Sequence, residues 1–70
     1  MNLFSLKFTE YCFYESDPGP CRPAEFLPRW FYDRSDGVCK QFLYGGCEGN
    51  RNRFYSRTEC EQQCSNAQGK

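Results

Sequence analysis

The clearest pattern of apolar and polar positions lies in the middle of the chain. Two aromatic-rich runs, 29–34 and 38–44, flank the turn formers Ser35, Asp36 and Gly37. An Asp-Gly pair between two such runs is a strong signal for a β-hairpin. We therefore predict one antiparallel ribbon with strands at about 29–35 and 38–44. Because aromatic residues fall on both faces of these strands, we expect a strongly twisted hairpin that is packed on both sides.

A second pattern predicts a short helix near the C-terminal end. Ser56 and Glu59 have the spacing of a capping box, in which the serine side chain accepts a free backbone N–H and the glutamate reaches back to the cap. Cys60 and Cys64 are four residues apart and would share one helical face, with Glu61 and Gln62 turned to water. We predict a helix at about 56–64, attached twice to the rest of the chain.

The remaining segment, residues 12–28, has the composition of a loop. It contains all four prolines, and prolines deny a strand its regular hydrogen bonds. The chain has no internal repeat, low-complexity tract or linker. Aromatic side chains bury the most area per residue, so we expect a core built from four of them: Tyr32, Phe42, Tyr44 and Phe54.

Composition changes the picture, because 70 residues give too small a core to stabilise a domain unaided. Six cysteines can provide the missing stabilisation by forming three disulfides, and we predict a small disulfide-rich α+β fold. Disulfides persist in oxidising compartments, so we expect a secreted, extracellular protein. Zinc is the rival use of cysteine. It is disfavoured because the chain has no histidine and only Cys60 and Cys64 have a suitable paired spacing.

Charge and the missing residue types exclude several functions. Nine basic and nine acidic residues are interleaved, which gives no basic stripe for nucleic acid. No apolar run approaches the roughly 20 residues of a membrane span. Without histidine, Ser-His-Asp and Cys-His catalysis are excluded, so we expect a binding protein and not an enzyme. We also expect a monomer with no cofactor or metal. The first ten residues are too short and too interrupted by Lys7 for a secretory signal. We interpret residues 1–11 as an extension of a mature segment and 65–70 as a tail.

The order of the cysteines narrows the architecture without deciding it. Six cysteines allow 15 pairings, and spacing alone does not choose among them. A helix attached at Cys60 and Cys64 needs two partners elsewhere, and Cys39 in the hairpin is the natural first one.

Several motifs resemble those of the Kunitz domain of the pancreatic trypsin inhibitor type. They are FLYGGCEGNRNRF followed by TECEQQC, with GPCR and RWFYD upstream, and the resemblance runs from about Tyr11 to Cys64. It implies an inhibitor domain at 12–64 and a buried asparagine at Asn52 that bonds loop backbone. It also implies the disulfides Cys12–Cys64, Cys21–Cys47 and Cys39–Cys60.

Elementary physics agrees with the implied pairing. A Cys12–Cys64 bridge would close a loop of about 53 residues, which in the chain-entropy model contributes roughly 4 kcal/mol. A Cys21–Cys47 bridge would pull the proline-rich loop against Gly45 and Gly46. Both glycines would then lack side chains because two backbone segments approach closely. We interpret Arg51, Arg53 and Arg57, with Glu48, Glu59 and Glu61, as a solvated mixed face.

The resemblance also implies a reactive site. The residue after the second cysteine, Arg22, would enter the specificity pocket of a protease, and trypsin-like enzymes carry an aspartate at the bottom of that pocket. An arginine can meet this aspartate with a bidentate, charge-assisted pair. We predict that Arg22 and Pro23 form the reactive site, with contacts from Pro20, Cys21, Ala24, Glu25, Tyr44, Gly45, Gly46 and Glu48.

Two departures from the family pattern leave three outcomes. Pro23 stands where a glycine or alanine is usual, and seven residues rather than five separate Cys21 from Arg29. Proline restricts the preceding residue to extended backbone angles. Arg22 could fill the pocket and resist cleavage. Alternatively, the altered loop could inhibit weakly, or could favour a chymotrypsin- or elastase-like protease through Phe26 or Leu27. In the third outcome the scaffold serves a non-protease partner such as an ion channel, although zero net charge argues against this.

Overall fold

The computed structural model describes residues 10–65, so most of the extension and of the tail lies outside the described residues. A single 3₁₀ turn at Glu10–Phe13 leads into a long loop and then into a two-stranded antiparallel hairpin. Strand β1 is Leu27–Asp33 and strand β2 is Val38–Tyr44. A short helix, α1, spans Arg57–Cys60 and continues as a π-helical turn at Glu61–Ser65. The small disulfide-rich α+β fold is confirmed.

Strand β1 begins and ends two residues before the predicted bounds. Leu27 and Pro28 pair with Tyr44 and Leu43, although the prolines were expected to keep this segment out of a ladder. In a two-stranded sheet both strands are edges, and an edge strand tolerates a residue that lacks an N–H. The early start brings the strand to within a few residues of Cys21.

The early end of β1 is explained by Asp33. Its side-chain carboxylate accepts the backbone N–H of Ser35 at 2.9 Å, and its carbonyl accepts that of Gly37 at 2.7 Å. These bonds turn the chain before residue 35, with Gly37 at a φ of 69°. Lys40 forms ion pairs with Asp33 at 3.0 Å and with Asp36. The hydrogen bond from Lys40 holds the pKa of the Asp33 carboxyl below its usual value of 3.8.

The C-terminal helix has the predicted cap with one difference. Ser56 has extended backbone angles and its Oγ accepts the Glu59 N–H at 3.0 Å, so Ser56 is the cap and the first helical residue is Arg57. The Glu59 carboxylate accepts the N–H of Tyr55 at 2.9 Å, one residue before the cap that it was expected to reach. The cap therefore ties the preceding strand-like segment to the helix start.

The core lies between one face of the hairpin and the helical segments. Tyr32 and Phe54 are buried here with four cysteines, Cys12, Cys39, Cys60 and Cys64, while Tyr44 is buried as expected but outside this cluster. Phe42 does not belong to this core, contrary to expectation. It is half-buried on the opposite face and makes an edge-to-face contact with Phe31 at 5.6 Å. Among residues 10–65 the second face of the hairpin is only partly covered, since Phe42 is half-buried there whereas Tyr44, two residues further along β2, is buried.

Asn52 occupies the position that the resemblance implied for a buried asparagine. It is 0% exposed, and its Oδ1 accepts the Tyr32 N–H at 2.9 Å. Its Nδ2 donates to the carbonyls of Tyr14 at 2.8 Å and Tyr32 at 3.0 Å. A single amide therefore satisfies backbone groups from the hairpin and from the N-terminal loop, which buried backbone requires.

The three disulfides have the pairing implied by the resemblance: Cys12–Cys64, Cys21–Cys47 and Cys39–Cys60. Cα–Cα distances of 5.7, 5.8 and 6.3 Å lie in the usual range for disulfides. Two bridges are buried in the core and hold the helical end against the hairpin. The third lies outside the core and joins two loops.

Candidate functional site

Two neighbouring loops form the candidate site. We call residues 14–26 the first loop and residues 45–50 the second loop. The first loop leads into β1 at Leu27 and the second leaves β2 at Tyr44, and these two residues are paired in the sheet. Both loops therefore lie at the open end of the hairpin, at the opposite end from the turn at residues 34–37.

Three direct ties hold the loops together. The Cys21–Cys47 bridge joins them covalently, and the N–H of Gly45 donates to the carbonyl of Pro18 at 2.9 Å. Asn50 in the second loop donates from Nδ2 to the Glu15 carbonyl at 2.9 Å. Since the first loop has no helix or strand between residues 14 and 26, these ties carry its shape.

The two glycines of the second loop have different reasons to lack a side chain. A Cβ at Gly45 would overlap the carbonyl oxygen of Cys21, which confirms the expected close approach of two backbone segments. At Gly46 there is room, because the nearest heavy atom, on Leu27, would be 4.0 Å away. Gly46 instead has a φ of 104°, which only glycine adopts readily. The close-approach explanation is therefore wrong for Gly46.

Arg22 lies exposed beside the Cys21–Cys47 bridge. Its Nη1 donates to the carbonyls of Gly19 at 3.1 Å and Cys21 at 2.9 Å, so the guanidinium lies along its own loop. Both bonds are exposed to solvent. Water can replace such bonds at small net cost, so the side chain can extend into a partner.

The other predicted contact residues divide by exposure. Most are exposed or half-buried on the surface of the two loops: Pro20, Cys21, Pro23, Ala24, Glu25, Gly46 and Glu48. Tyr44 and Gly45 are buried, which places them beneath this surface. Of the two side chains considered for another protease class, Phe26 is half-buried and Leu27 is 38% exposed.

Arg53 lies three residues after the second loop, and the sequence predicted that it belongs to a solvated face. Its guanidinium carbon lies 4.2 Å from the centre of the Tyr44 ring, and its Nη1 donates to the carbonyls of Glu48 at 2.9 Å and Asn50 at 3.1 Å. Tyr44 Oη also donates to the Glu48 carbonyl, at 2.8 Å. The only signal in the sequence was an arginine nine residues from a tyrosine, and such spacing is not specific.

The other arginines of the expected mixed face also lie on aromatic rings. Arg51 lies over Tyr11 at 4.8 Å, and Arg57 lies over Trp30 at 6.0 Å and pairs with Glu61 at 3.0 Å. Within residues 10–65 no cluster of three or more acidic or cysteine side chains is placed to hold a metal ion. The helices in that range are also too short and polar to cross a membrane.

Comparison with known proteins agrees with this geometry. Residues 11–65 match the Kunitz/bovine pancreatic trypsin inhibitor domain, and the chain belongs to this family. Kunitz domains of this kind are inhibitors and not enzymes. The expected boundary at Cys12 stays a prediction, although Tyr11 already packs on Phe54 with ring centres 6.4 Å apart.

The chain is similar to carboxypeptidase inhibitor SmCI from Sabellastarte magnifica, with 48% identity over 77% of this chain and 32% of SmCI. Protease inhibitor carrapatin from Rhipicephalus microplus is 40% identical over 90% of this chain and 88% of its own length. SmCI in complex with human carboxypeptidase A4 superposes with a TM-score of 0.76 at 43% identity, covering 86% of this chain and 35% of SmCI. The chain thus spans about a third of SmCI.

Proposed function

We propose that this domain is a secreted inhibitor of trypsin-like serine proteases that presents Arg22 to the specificity pocket. The observation that carries the proposal is the exposed Arg22 beside the Cys21–Cys47 bridge. Arg22 is the only basic residue in the two loops, so it is the one side chain there that can pair with the aspartate of a trypsin-like specificity pocket. Three disulfides support secretion, because they persist in oxidising compartments.

Rigidity of the loops supports inhibition rather than simple cleavage. The first loop is held by a disulfide and by backbone bonds before any partner arrives, so little ordering entropy is lost on association. If the bond after Arg22 were cut, the bridge would keep the new amine close to the acyl group and religation would compete with water. Pro23 adds to this protection because its ring nitrogen has no hydrogen and its φ is fixed.

The test is a titration of trypsin with the wild type, Arg22→Ala and a matched control, Arg34→Ala. Arg34 is an exposed arginine in the hairpin turn, at the far end of the hairpin from the loops. We expect Arg22→Ala to weaken inhibition by about 10³-fold or more, because a buried charged anchor at an interface is worth several kcal/mol. Arg34→Ala should inhibit like the wild type. Equal inhibition by all three proteins would overturn the role of Arg22.

A second arm uses Pro23→Ala with a panel of trypsin, chymotrypsin, elastase and carboxypeptidase A. If Pro23 protects the bond, Pro23→Ala should bind trypsin with similar affinity and be cleaved on long incubation, which mass spectrometry detects. If proline holds Arg22 away from the pocket, the variant should inhibit more tightly than the wild type. Inhibition of chymotrypsin or elastase alone would point to Phe26 or Leu27, and no inhibition of any enzyme would point to a non-protease partner.

A further inference from the structure

Arg53 touches more of the second loop than any purely solvated arginine would. One guanidinium nitrogen donates to the carbonyls of Glu48 and Asn50, at 2.9 and 3.1 Å. The same group lies 4.2 Å from the centre of the ring of Tyr44, the last residue of β2 before the loop. These contacts connect the end of β2 with Glu48 and Asn50 of the second loop through a single side chain.

The second loop needs such support because Glu48 has an unfavourable backbone conformation. Its φ is 56°, and it is the only residue other than glycine with a positive φ among residues 10–65. Side chains with a Cβ disfavour this region. The Glu48 carbonyl accepts two hydrogen bonds, one from Tyr44 Oη at 2.8 Å and one from Arg53, and both bonds favour the observed conformation.

Gly49 shows how closely the guanidinium packs against the loop. A Cβ at Gly49 would lie 3.0 Å from Arg53 Nη1 and 3.2 Å from Tyr44 Cε1, which is tighter than ordinary contact. The loop backbone, the guanidinium and the tyrosine ring therefore form one packed unit. A planar guanidinium can stack on a ring and donate in its own plane at once, whereas a lysine ammonium cannot do both.

We propose that Arg53 is a positioning residue that holds the second loop, and through it the reactive loop, in the shape that a protease binds. This rests on the proposed function. The second loop carries Cys47, which is bonded to Cys21 beside Arg22, so disorder in one loop passes to the other. A loop that must be ordered on binding loses affinity, mainly through faster dissociation.

Arg57 provides a matched control within the same molecule. It also lies over an aromatic ring, Trp30, and it pairs with Glu61 in the helical segment. It has no contact with either loop among those described. Arg57→Gln therefore removes the same charge and a similar ring contact without disturbing the proposed site.

The first measurement is the rate of association with trypsin and of dissociation from it. We expect Arg53→Gln to dissociate about ten times faster or more, with association changed by less than about threefold, because preorganisation acts on the lifetime of the complex. Arg53→Lys keeps the charge but not the planar fork, and should lie between the wild type and Arg53→Gln. Arg57→Gln should leave both rates unchanged.

The second measurement separates positioning from a general loss of stability. The Gly45 N–H donates to the Pro18 carbonyl across the two loops. Near the core, the N–H of Trp30 donates to the Phe54 carbonyl and the N–H of Phe54 to the Trp30 carbonyl, both at 2.8 Å. Amide hydrogen exchange in Arg53→Gln should accelerate at Gly45 and stay unchanged at Trp30 and Phe54. A merely structural role would accelerate all three together, and that result would overturn the proposal.

The two measurements also separate this proposal from the proposed function. If the wild type fails to inhibit trypsin, the proposed function fails, while exchange at Gly45 still decides whether Arg53 holds the loop. Unchanged exchange at Gly45 in Arg53→Gln would overturn the proposal whatever the protease result. Faster exchange at Gly45 with an unchanged dissociation rate would overturn the link between the loop's shape and binding.

Discussion

Two regions of the molecule are ordered by different means. In the region that we call the core end, Tyr32 and Phe54 pack with two buried disulfides, and Asn52 satisfies the backbone groups around them. In the other, which we call the loop end, the exposed first and second loops share one disulfide that lies outside the core. Burial orders the first region, and covalent and hydrogen-bonded ties order the second.

The contrast shows how a very small protein can keep its binding surface both exposed and rigid. A side chain that must enter a partner's pocket, as we propose for Arg22, cannot also be buried in its own core. Its segment is therefore held from behind, by Cys21, by the Gly45 N–H and by the second loop. Sites supported in this way retain their shape without a hydrophobic core beneath them.

The largest expected effect on stability comes from removing a disulfide, which is tested separately at the core end and at the loop end. The Cys39–Cys60 and Cys21–Cys47 bridges span 21 and 26 residues, so their chain-entropy contributions differ by only about 0.2 kcal/mol. Cys39 and Cys60 are buried, and paired alanines there also leave a cavity. We expect a loss of about 5 kcal/mol at the core end and about 3 kcal/mol at the loop end.

Guanidinium unfolding of the two double variants, Cys39→Ala with Cys60→Ala and Cys21→Ala with Cys47→Ala, measures this difference. The ranking should reverse in a trypsin assay of the folded proteins, where the loop-end variant should lose more inhibition. The same ranking in both assays would mean that the two ends are not held by different means.

Asn52→Ala should have the next largest effect. The change leaves the Tyr32 N–H and the carbonyls of Tyr14 and Tyr32 without their partner in a buried place. Three unmet groups cost about 3 kcal/mol together, which should appear as a lower midpoint in thermal unfolding. Asn50→Ala is the control at the loop end: it loses an exposed bond to the Glu15 carbonyl and a half-buried bond from the Asn52 N–H, and should cost about 1 kcal/mol, well below the loss for Asn52→Ala. Similar losses for both would contradict the comparison.

The smallest effect is expected from acid at the hairpin turn. Folding lowers the pKa of the Asp33 carboxyl below its ordinary value of 3.8. The ionised carboxylate therefore stabilises the fold fully above pH 3.8, and this stabilisation is lost as the pH falls through the lowered pKa. Hydrogen bonds to Asp36 and Asp33 raise the pKa of Lys40, so the partner stays charged throughout this range. Exposed ion pairs contribute little to the free energy of unfolding, so the loss of stability in acid should be small.

Thermal midpoints measured from pH 5 to pH 2 (about the range in which carboxylates titrate) check this effect. The thermal midpoint of Asp33→Asn should fall less on acidification than that of the wild type. Glu25→Gln at the loop end, where no ion pair is seen for Glu25 in the described part of the chain, should follow the wild type. An Asp33→Asn curve parallel to that of the wild type would show that the turn's ion pair has no net value.

Local pattern predicted the elements better than their limits. The hairpin was readable because aromatic runs flank Asp36 and Gly37, and the helix start because Ser56 precedes Glu59. The limits moved where a tertiary contact intervened. Pro28 entered the ladder because an edge strand tolerates a residue without an N–H, and Phe42 stayed half-buried because its face is only partly covered by the residues that the structure describes.

The candidate site was partly readable as well. The positions of Arg22, Cys21 and Cys47 followed from motifs that resemble a known family, because such motifs preserve order along the chain. The role of Arg53 did not, since its contacts with Tyr44 and Glu48 exist only after the second loop closes. Gly46 was assigned the wrong reason because a sequence does not distinguish a crowded glycine from one with a positive φ.

By itself, the sequence determined the local elements and the means of stabilising them: a turn, a cap and six cysteines whose spacing suits a disulfide framework. These depend on neighbouring residues, whose geometry is set by short-range sterics and hydrogen bonding. Only the tertiary structure decided which face of the hairpin is covered and which arginine supports the second loop. Those features arise where segments distant in sequence meet, and what they meet is set by the packing of the whole domain.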